Sequence, residues 1–134
     1  MGIQLKYFSI DEAESLIIQI TEIFNAAKET KFLIEKKVDS WRKTHAKLSP
    51  AEEAVIRGQV DFLASQLETQ LGDITALGCT PKDLDAGLVD FPARIDGQEA
   101  YLCWKVGEKK IAYWHGLTEG FQGRKPLNKK ENRR

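Results

Sequence analysis

Apolar positions in this chain follow two periods, and the change from one to the other divides it. Between residues 10 and 47 they recur every three or four positions: Ala13, Leu16, Ile20, Ile23, Ala27, Thr30, Ile34, Val38, Trp41 and His45. That is a heptad-like helical stripe, widened in its first half by Ile17 and Phe24. Ser9 stands as N-cap with Glu12 three residues on, a capping box, and Asp11 adds negative charge in the first turn. No Gly or Pro interrupts the run, so one helix of about 55 Å is predicted. Ser49-Pro50-Ala51-Glu52 repeats the start signal, with Pro50 at the first helical position. A second helix follows to Leu77 with the seam Ile56, Val60, Leu63, Leu67, Leu71, Ile74 and Leu77, and Gly78 as its left-handed C-terminal cap. The link between the helices is short, so they should lie antiparallel. The first then outruns the second, and Leu16, Ile17 and Ile20 need cover from elsewhere.

After Gly78 the period becomes two. Residues 79–87 read as a turn-rich connection with a short extended piece around Lys82 to Leu84. Residues 88–95 read as a strand that Pro92 makes an edge or a bulge, Asp96-Gly97 as a two-residue hairpin turn, and residues 98–106 as a second strand. In that strand Ala100, Leu102, Trp104 and Val106 face one way and Glu99, Tyr101, Cys103 and Lys105 the other. Residues 111–115 form a third strand, and Ile3, Leu5 and Tyr7 alternate as a fourth if that segment joins. The fold class expected is α+β: a long antiparallel helical hairpin (about 10–77) followed by a small antiparallel sheet of three or four strands (about 79–127). Residues 1–127 make one domain. The apolar sheet face should cover the base of the hairpin around Leu16 to Ile23.

Two features of the helices bear on partners. Ala51, Gly58, Ser65 and Gly72 recur every seven residues, about 200° from the seam at 100° per residue. This is either an exposed, weakly constrained face or a smooth stripe for a close-packed helix. Phe32 and Leu33 lie off the seam, more apolar surface than one hairpin hides. A homodimer is therefore expected, in a four-helix arrangement, and the first functional reading is a non-enzymatic oligomerisation or protein-interaction module with an unknown protein partner.

Charge changes the picture only at the end of the chain. The formal net charge is zero, but residues 124–134 hold six basic residues against Glu131, leaving the remainder acidic. A globally basic nucleic-acid binder is disfavoured; weak binding through the tail remains as a further alternative, against a solvated, disordered terminus over residues 128–134. The tail has no aromatic residue on which a base could stack. No run of apolar residues is long enough to span a membrane, and the N-terminus lacks the apolar segment of a secretory signal. A cytoplasmic setting with Cys79 and Cys103 as reduced thiols is expected.

Chemistry is sparse. There is no nucleophile elbow, phosphate-binding loop, dinucleotide fingerprint or zinc-ligand spacing, so no cofactor and no metal are called for. The candidates lie in the β region: Asp85, Asp90, Trp104, His115 and Arg124. A histidine on a strand beside Cys103 or Tyr101, with carboxylates nearby, can act as a general base or a metal ligand; as a lone His at a strand end it can equally be structural. Gly120-Phe-Gln-Gly-Arg124 can cradle an anion, or wrap Phe121 back onto the sheet. The second functional reading is a small-molecule, anion or metal site built from these residues. Whether the chain is an enzyme stays open.

The stretches Lys82-Asp-Leu-Asp-Ala-Gly-Leu-Val-Asp-Phe-Pro-Ala, Tyr101-Leu-Cys-Trp-Lys-Val-Gly-Glu, Ile111-Ala-Tyr-Trp-His and Gly120-Phe-Gln-Gly-Arg-Lys-Pro-Leu resemble a prokaryotic family, domain of unknown function 2203. Ala76-Leu-Gly-Cys and the start Tyr7-Phe8 with Asp11-Glu12-Ala13 are similar too, so the resemblance spans residues 7–127. It implies one intact domain in a bacterial, cytoplasmic setting, and it transfers no activity, ligand or catalytic residue.

Overall fold

The structure is a computed structural model and describes residues 6–127. It is α+β. Helices α1 (Ile10–Glu14), α2 (Ile17–Thr44) and α3 (Pro50–Ala76) come first. A five-stranded antiparallel sheet follows, of β1 (Thr80–Asp83), β2 (Leu88–Ile95), β3 (Gln98–Lys105), β4 (Tyr113–Gly116) and β5 (Lys125–Pro126), in sequential order.

Both helix starts are built as the sequence implies. Ser9 and Ser49 accept from the backbone N–H of Glu12 and Glu52, whose carboxylates accept in return from the serine N–H groups. The first helix differs from expectation in being broken at Ser15–Leu16. The Ser15 hydroxyl donates to the Glu12 carbonyl at 2.6 Å, and Leu16 N–H reaches back only to Ala13. A serine that offers the backbone an alternative partner loosens the helical ladder at that point. At the far end the helix stops at Thr44. His45, placed on the seam by its spacing, instead opens a 3-10 turn (His45–Lys47), exposed and stacked on Trp41 with ring centroids 5.2 Å apart.

The core lies between the base of the hairpin and one sheet face. Phe24, Ile20 and Ile74 from the helices pack with Val89, Phe91, Leu102 and Trp104 from the sheet, and Leu16, Ile17, Ile23 and Val106 close its edge. The overhang of the first helix is therefore covered by the sheet, as its unpaired apolar residues required.

The sheet has five strands rather than three or four. β1 and β5 flank the predicted meander; β1 overlaps the short extended piece expected around Lys82 to Leu84, and β5 falls on residues given no element above. Both are short: β1 begins Thr80-Pro81, and β5 is only Lys125-Pro126, so neither carries an apolar alternation that would mark it as a strand. β4 begins at Tyr113 instead of Ile111, because the Ile111 N–H is taken by the Glu14 carboxylate at 2.9 Å. Asp96 (φ 52°) and Gly97 (φ 78°) form the β2–β3 turn with both residues left-handed, as an Asp-Gly hairpin needs. Gly78, at φ 100°, caps α3, and a Cβ there would press on the Phe8 ring at 3.2 Å.

Pro92 pairs with Tyr101 in an unbroken β2–β3 register, so there is no bulge in that ladder. Its carbonyl accepts from Phe8 N–H at 2.7 Å. N–H and C=O of one strand residue point to the same side, so its ring nitrogen faces the half of β2 that β1 leaves open, and no ladder bond is lost. Phe8 and Tyr7, whose hydroxyl bonds Glu99, tie the N-terminal segment along that edge. Most of the Ile3–Tyr7 strand and the basic tail fall outside the described residues. No helix among the described residues is long and apolar enough to cross a membrane.

Candidate functional site

Alternation along β2, β3 and β4 sends one set of side chains into the core and the other outward. The register makes the outward set a single patch: Asp90 opposite Cys103, Tyr101 opposite His115, and Cys103 opposite Tyr113. A half-open outward face would be solvated, yet Asp90, Cys103 and His115 are all buried. The cover is the β4–β5 connection. Glu119 accepts from Gly116 N–H at 2.8 Å and from Lys125 at 2.9 Å, which holds the loop down over the face. Arg124 anchors its far end, donating to the Cys103 carbonyl at 3.1 Å and to Glu108 at 2.6 Å while stacking on Tyr113 and Phe121. Between loop and sheet remains a cleft of about 280 Å³ whose lining includes Lys82, Leu88, Tyr101, Leu117, Glu119 and Phe121 around the three buried polar side chains.

His115 Nε2 lies 3.0 Å from Asp90 Oδ1, and Nδ1 lies 2.9 Å from the Gly116 carbonyl. A carbonyl only accepts, so Nδ1 carries a hydrogen. The Nε2–Asp90 contact then needs one further proton, held on either partner. Cys103 Sγ stands beside this pair: the three ligand-type atoms of Asp90, Cys103 and His115 lie within 4.8 Å of one another. Burial pushes the Cys103 thiol above its ordinary value, against the opposing pull of the Arg124 guanidinium. A nucleophilic Cys–His dyad is not what these atoms form, because both imidazole nitrogens are already bonded elsewhere and burial disfavours the thiolate. Cys79, far along the chain at the hairpin base, has its thiol pushed up by burial to about 11.

Of the five residues singled out from sequence, the structure gathers Asp90 and His115 in the cleft, with Arg124 bracing its wall. Trp104 is corrected: it sits on the opposite, core face, wholly buried, its indole N–H donating to the Glu108 carbonyl at 2.8 Å. The β3 alternation itself forces this, since Trp104 is out of phase with Cys103. Asp85 lies in the β1–β2 turn and receives the Lys31 ammonium of α2 at 2.6 Å, largely exposed. Its place is a tie between sheet and hairpin. Arg124 gives its Nη2 to Glu108 and to a backbone carbonyl, while its buried Nε has no hydrogen-bond partner among the described residues. Cys103, named from sequence only as a neighbour of the histidine, pairs across from Asp90 and joins the site; the residue the sequence left out is Glu119, which stands four positions after His115 in no recognised motif and holds the cover.

Residues 6–127 match the family described as Uncharacterized conserved protein (DUF2203). The chain belongs to this family. No curated protein and no solved structure matches it. The DUF2203 match covers hairpin, sheet and covering loop together, so the cleft lies within the region that defines membership.

Proposed function

We propose that this DUF2203 protein is a small-ligand-binding protein that works through the cleft under the β4–β5 connection. The observation that carries this reading is the buried Asp90–His115 pair with Cys103 beside it, open to a cavity. Burying a chargeable pair costs several kcal/mol per ion, and apolar side chains of similar volume would hold the strands together as well or better. Three outward positions on three adjacent strands are polar where the inward ones are uniformly apolar. The cleft volume suits a molecule of amino-acid size. Its apolar lining (Leu88, Leu117, Phe121) and the Lys82 ammonium, which forms no ion pair among the described residues, favour a ligand with an apolar body and an anionic end.

The test is amide NMR of the labelled protein against a panel of small carboxylates and phosphates. Shifts clustered at Tyr101, Cys103, Leu117 and Gly120 are expected, and Leu117→Trp, which fills the cleft from an exposed rim position, should remove them with the melting temperature unchanged. If no compound moves these amides, or Leu117→Trp binds equally well, the reading fails.

A second reading, a homodimer through the hairpin, is favoured by one observation: Ile74 is the sole buried residue of α3, while Val55 and Phe62 are 60% and 70% exposed. Light scattering at micromolar concentration that returned the monomer mass would end it.

A further inference from the structure

We infer that Asp90, Cys103 and His115 bind one divalent metal ion of the zinc class per chain, through a carboxylate oxygen, Sγ and Nε2, with the fourth coordination position open to the cleft. This deepens the ligand-binding reading and rests on it, since the metal would stand at the cleft floor and receive the anionic end of the ligand.

Four observations carry it. First, the three side chains come from three adjacent strands and point to one side: Asp90 opposes Cys103 directly, and His115 on β4 lies diagonal to Cys103 across the next pair. Strand geometry thus fixes their roots independently of any loop. Second, the spacing fits. Metal–N and metal–O bonds of about 2.0–2.1 Å and metal–S bonds of about 2.3 Å put tetrahedral ligands roughly 3.3–3.6 Å apart. The present atoms lie within 4.8 Å of one another, and Nε2 and Oδ1 at 3.0 Å. Side-chain rotations on the order of 1 Å close the difference.

Third, the tautomer is already correct. Nδ1 of His115 donates to the Gly116 carbonyl at 2.9 Å, the outer contact that a metal-bound imidazole usually makes and the one that leaves Nε2 as the ligating nitrogen. Fourth, the donor set selects the ion. One thiolate, one imidazole and one carboxylate suit zinc and its neighbours, whereas calcium and magnesium require a shell of oxygens. Binding displaces two protons, one from the Cys103 thiol and one shared by His115 and Asp90. The dication is then balanced by two anionic ligands, and the Arg124 guanidinium beside Cys103 supports the thiolate. Sequence spacing hid this set because its members stand far apart in the chain, with no short ligand motif.

The test uses the full chain stripped with a chelator and titrated with cobalt(II). We expect one cobalt per chain, a thiolate-to-cobalt charge-transfer band in the near ultraviolet, and visible bands of the intensity that four-coordination gives. Cys103→Ser should remove the charge-transfer band, while Cys79→Ser keeps it. Asp90→Asn, nearly isosteric and able to keep the imidazole bond, should weaken binding by more than the roughly 10–100-fold that loss of an outer-shell partner costs. Circular dichroism confirms that each variant is folded. No band in the wild-type chain, a band that survives Cys103→Ser, or uptake that Asp90→Asn leaves unchanged overturns the inference. The two readings separate cleanly. Small molecules entering the cleft of a chain that ignores cobalt remove the metal alone. Cobalt held by all three residues in a chain whose cleft accepts no small molecule removes the ligand-binding reading and leaves the metal.

Discussion

The two ends of this molecule use similar residues to opposite effect. At the sheet end, Phe24, Phe91, Leu102 and Trp104 lose all exposure to water, because two layers of secondary structure meet there. At the hairpin tip, Val38, Ile56, Val60 and Leu63 form as regular a seam, yet each stays half-exposed, and Val55 and Phe62 lie on the surface. Two helices alone make one layer. They can cover a line of contact but not a volume, so apolar periodicity at the tip gives direction without giving a core. The difference also separates the two proposed readings. The sheet end has stability to spare for three buried polar side chains; the tip has surface to spare for a partner.

The sharpest way to break this comparison is to truncate an aromatic ring at each end. Phe91→Ala, beneath the sheet, should cost about 3–5 kcal/mol in urea unfolding. Phe62→Ala, at the tip, should stay within roughly 0.5 kcal/mol if that face meets only water. A large loss at Phe62 that depends on protein concentration would mean the tip has a partner and the contrast belongs to the monomer alone.

The two capping boxes are chemically identical and differ in setting. Ser9 is buried against the sheet; Ser49 is exposed at the tip. Ser49→Ala should cost about 1 kcal/mol and Ser9→Ala nearer 2 kcal/mol, the upper part of the range for lost caps. Equal losses would show that the surroundings of the cap do not matter.

A smaller effect of opposite sign is expected on the back of α3. A Cβ added at Gly58 or Gly72 meets nothing within 4 Å. Gly58→Ala should therefore stabilise the protein by about 0.5–1 kcal/mol in thermal or urea unfolding. If it destabilises, and lowers the mass seen by light scattering, the small-residue stripe is a helix-docking face.

The smallest effect is pH-dependent. The carboxyls of Glu12 and Glu52 are held below the ordinary 4.5 by the N–H and hydroxyl groups of their cap serines, first by the backbone bond. A folded-state value below the unfolded one contributes stability that is present above about pH 4.5 and is lost as pH falls through the folded value. Glu52→Gln keeps the reciprocal bond and does not titrate, so stability measured between pH 5 and about pH 3 should fall less steeply than in the parent. An unchanged slope would assign the acid loss to other carboxyls.

Much of the fold was legible because it is local. The capping boxes at Ser9 and Ser49, the left-handed Gly78, the Asp96-Gly97 turn and the β3 alternation each depend on residues a few positions apart, and each stands in the structure as its chemistry requires. The break at Ser15 was missed because a serine in a helix can turn its hydroxyl outward or onto the backbone, and the sequence does not say which. β1 was legible only as a short extended piece around Lys82 to Leu84, and β5 was missed, because neither carries an apolar alternation of its own and both are completed by pairing with a neighbour.

The candidate site divides along the same line. Local pattern singled out Asp90, His115 and Arg124, and the alternation that placed Cys103 on the face opposite Trp104 was readable as well. Which outward residues meet is a matter of register, set by turn geometry and by strands that come together across long stretches of chain, and only the folded sheet brings Asp90, Cys103 and His115 within reach of each other. Their burial is still less local. It comes from residues 117–124 returning over a face that strand patterning alone would leave to solvent. Helix and strand preferences are energies of neighbours in sequence, whereas the cleft is made of neighbours in space, and no period along the chain records those.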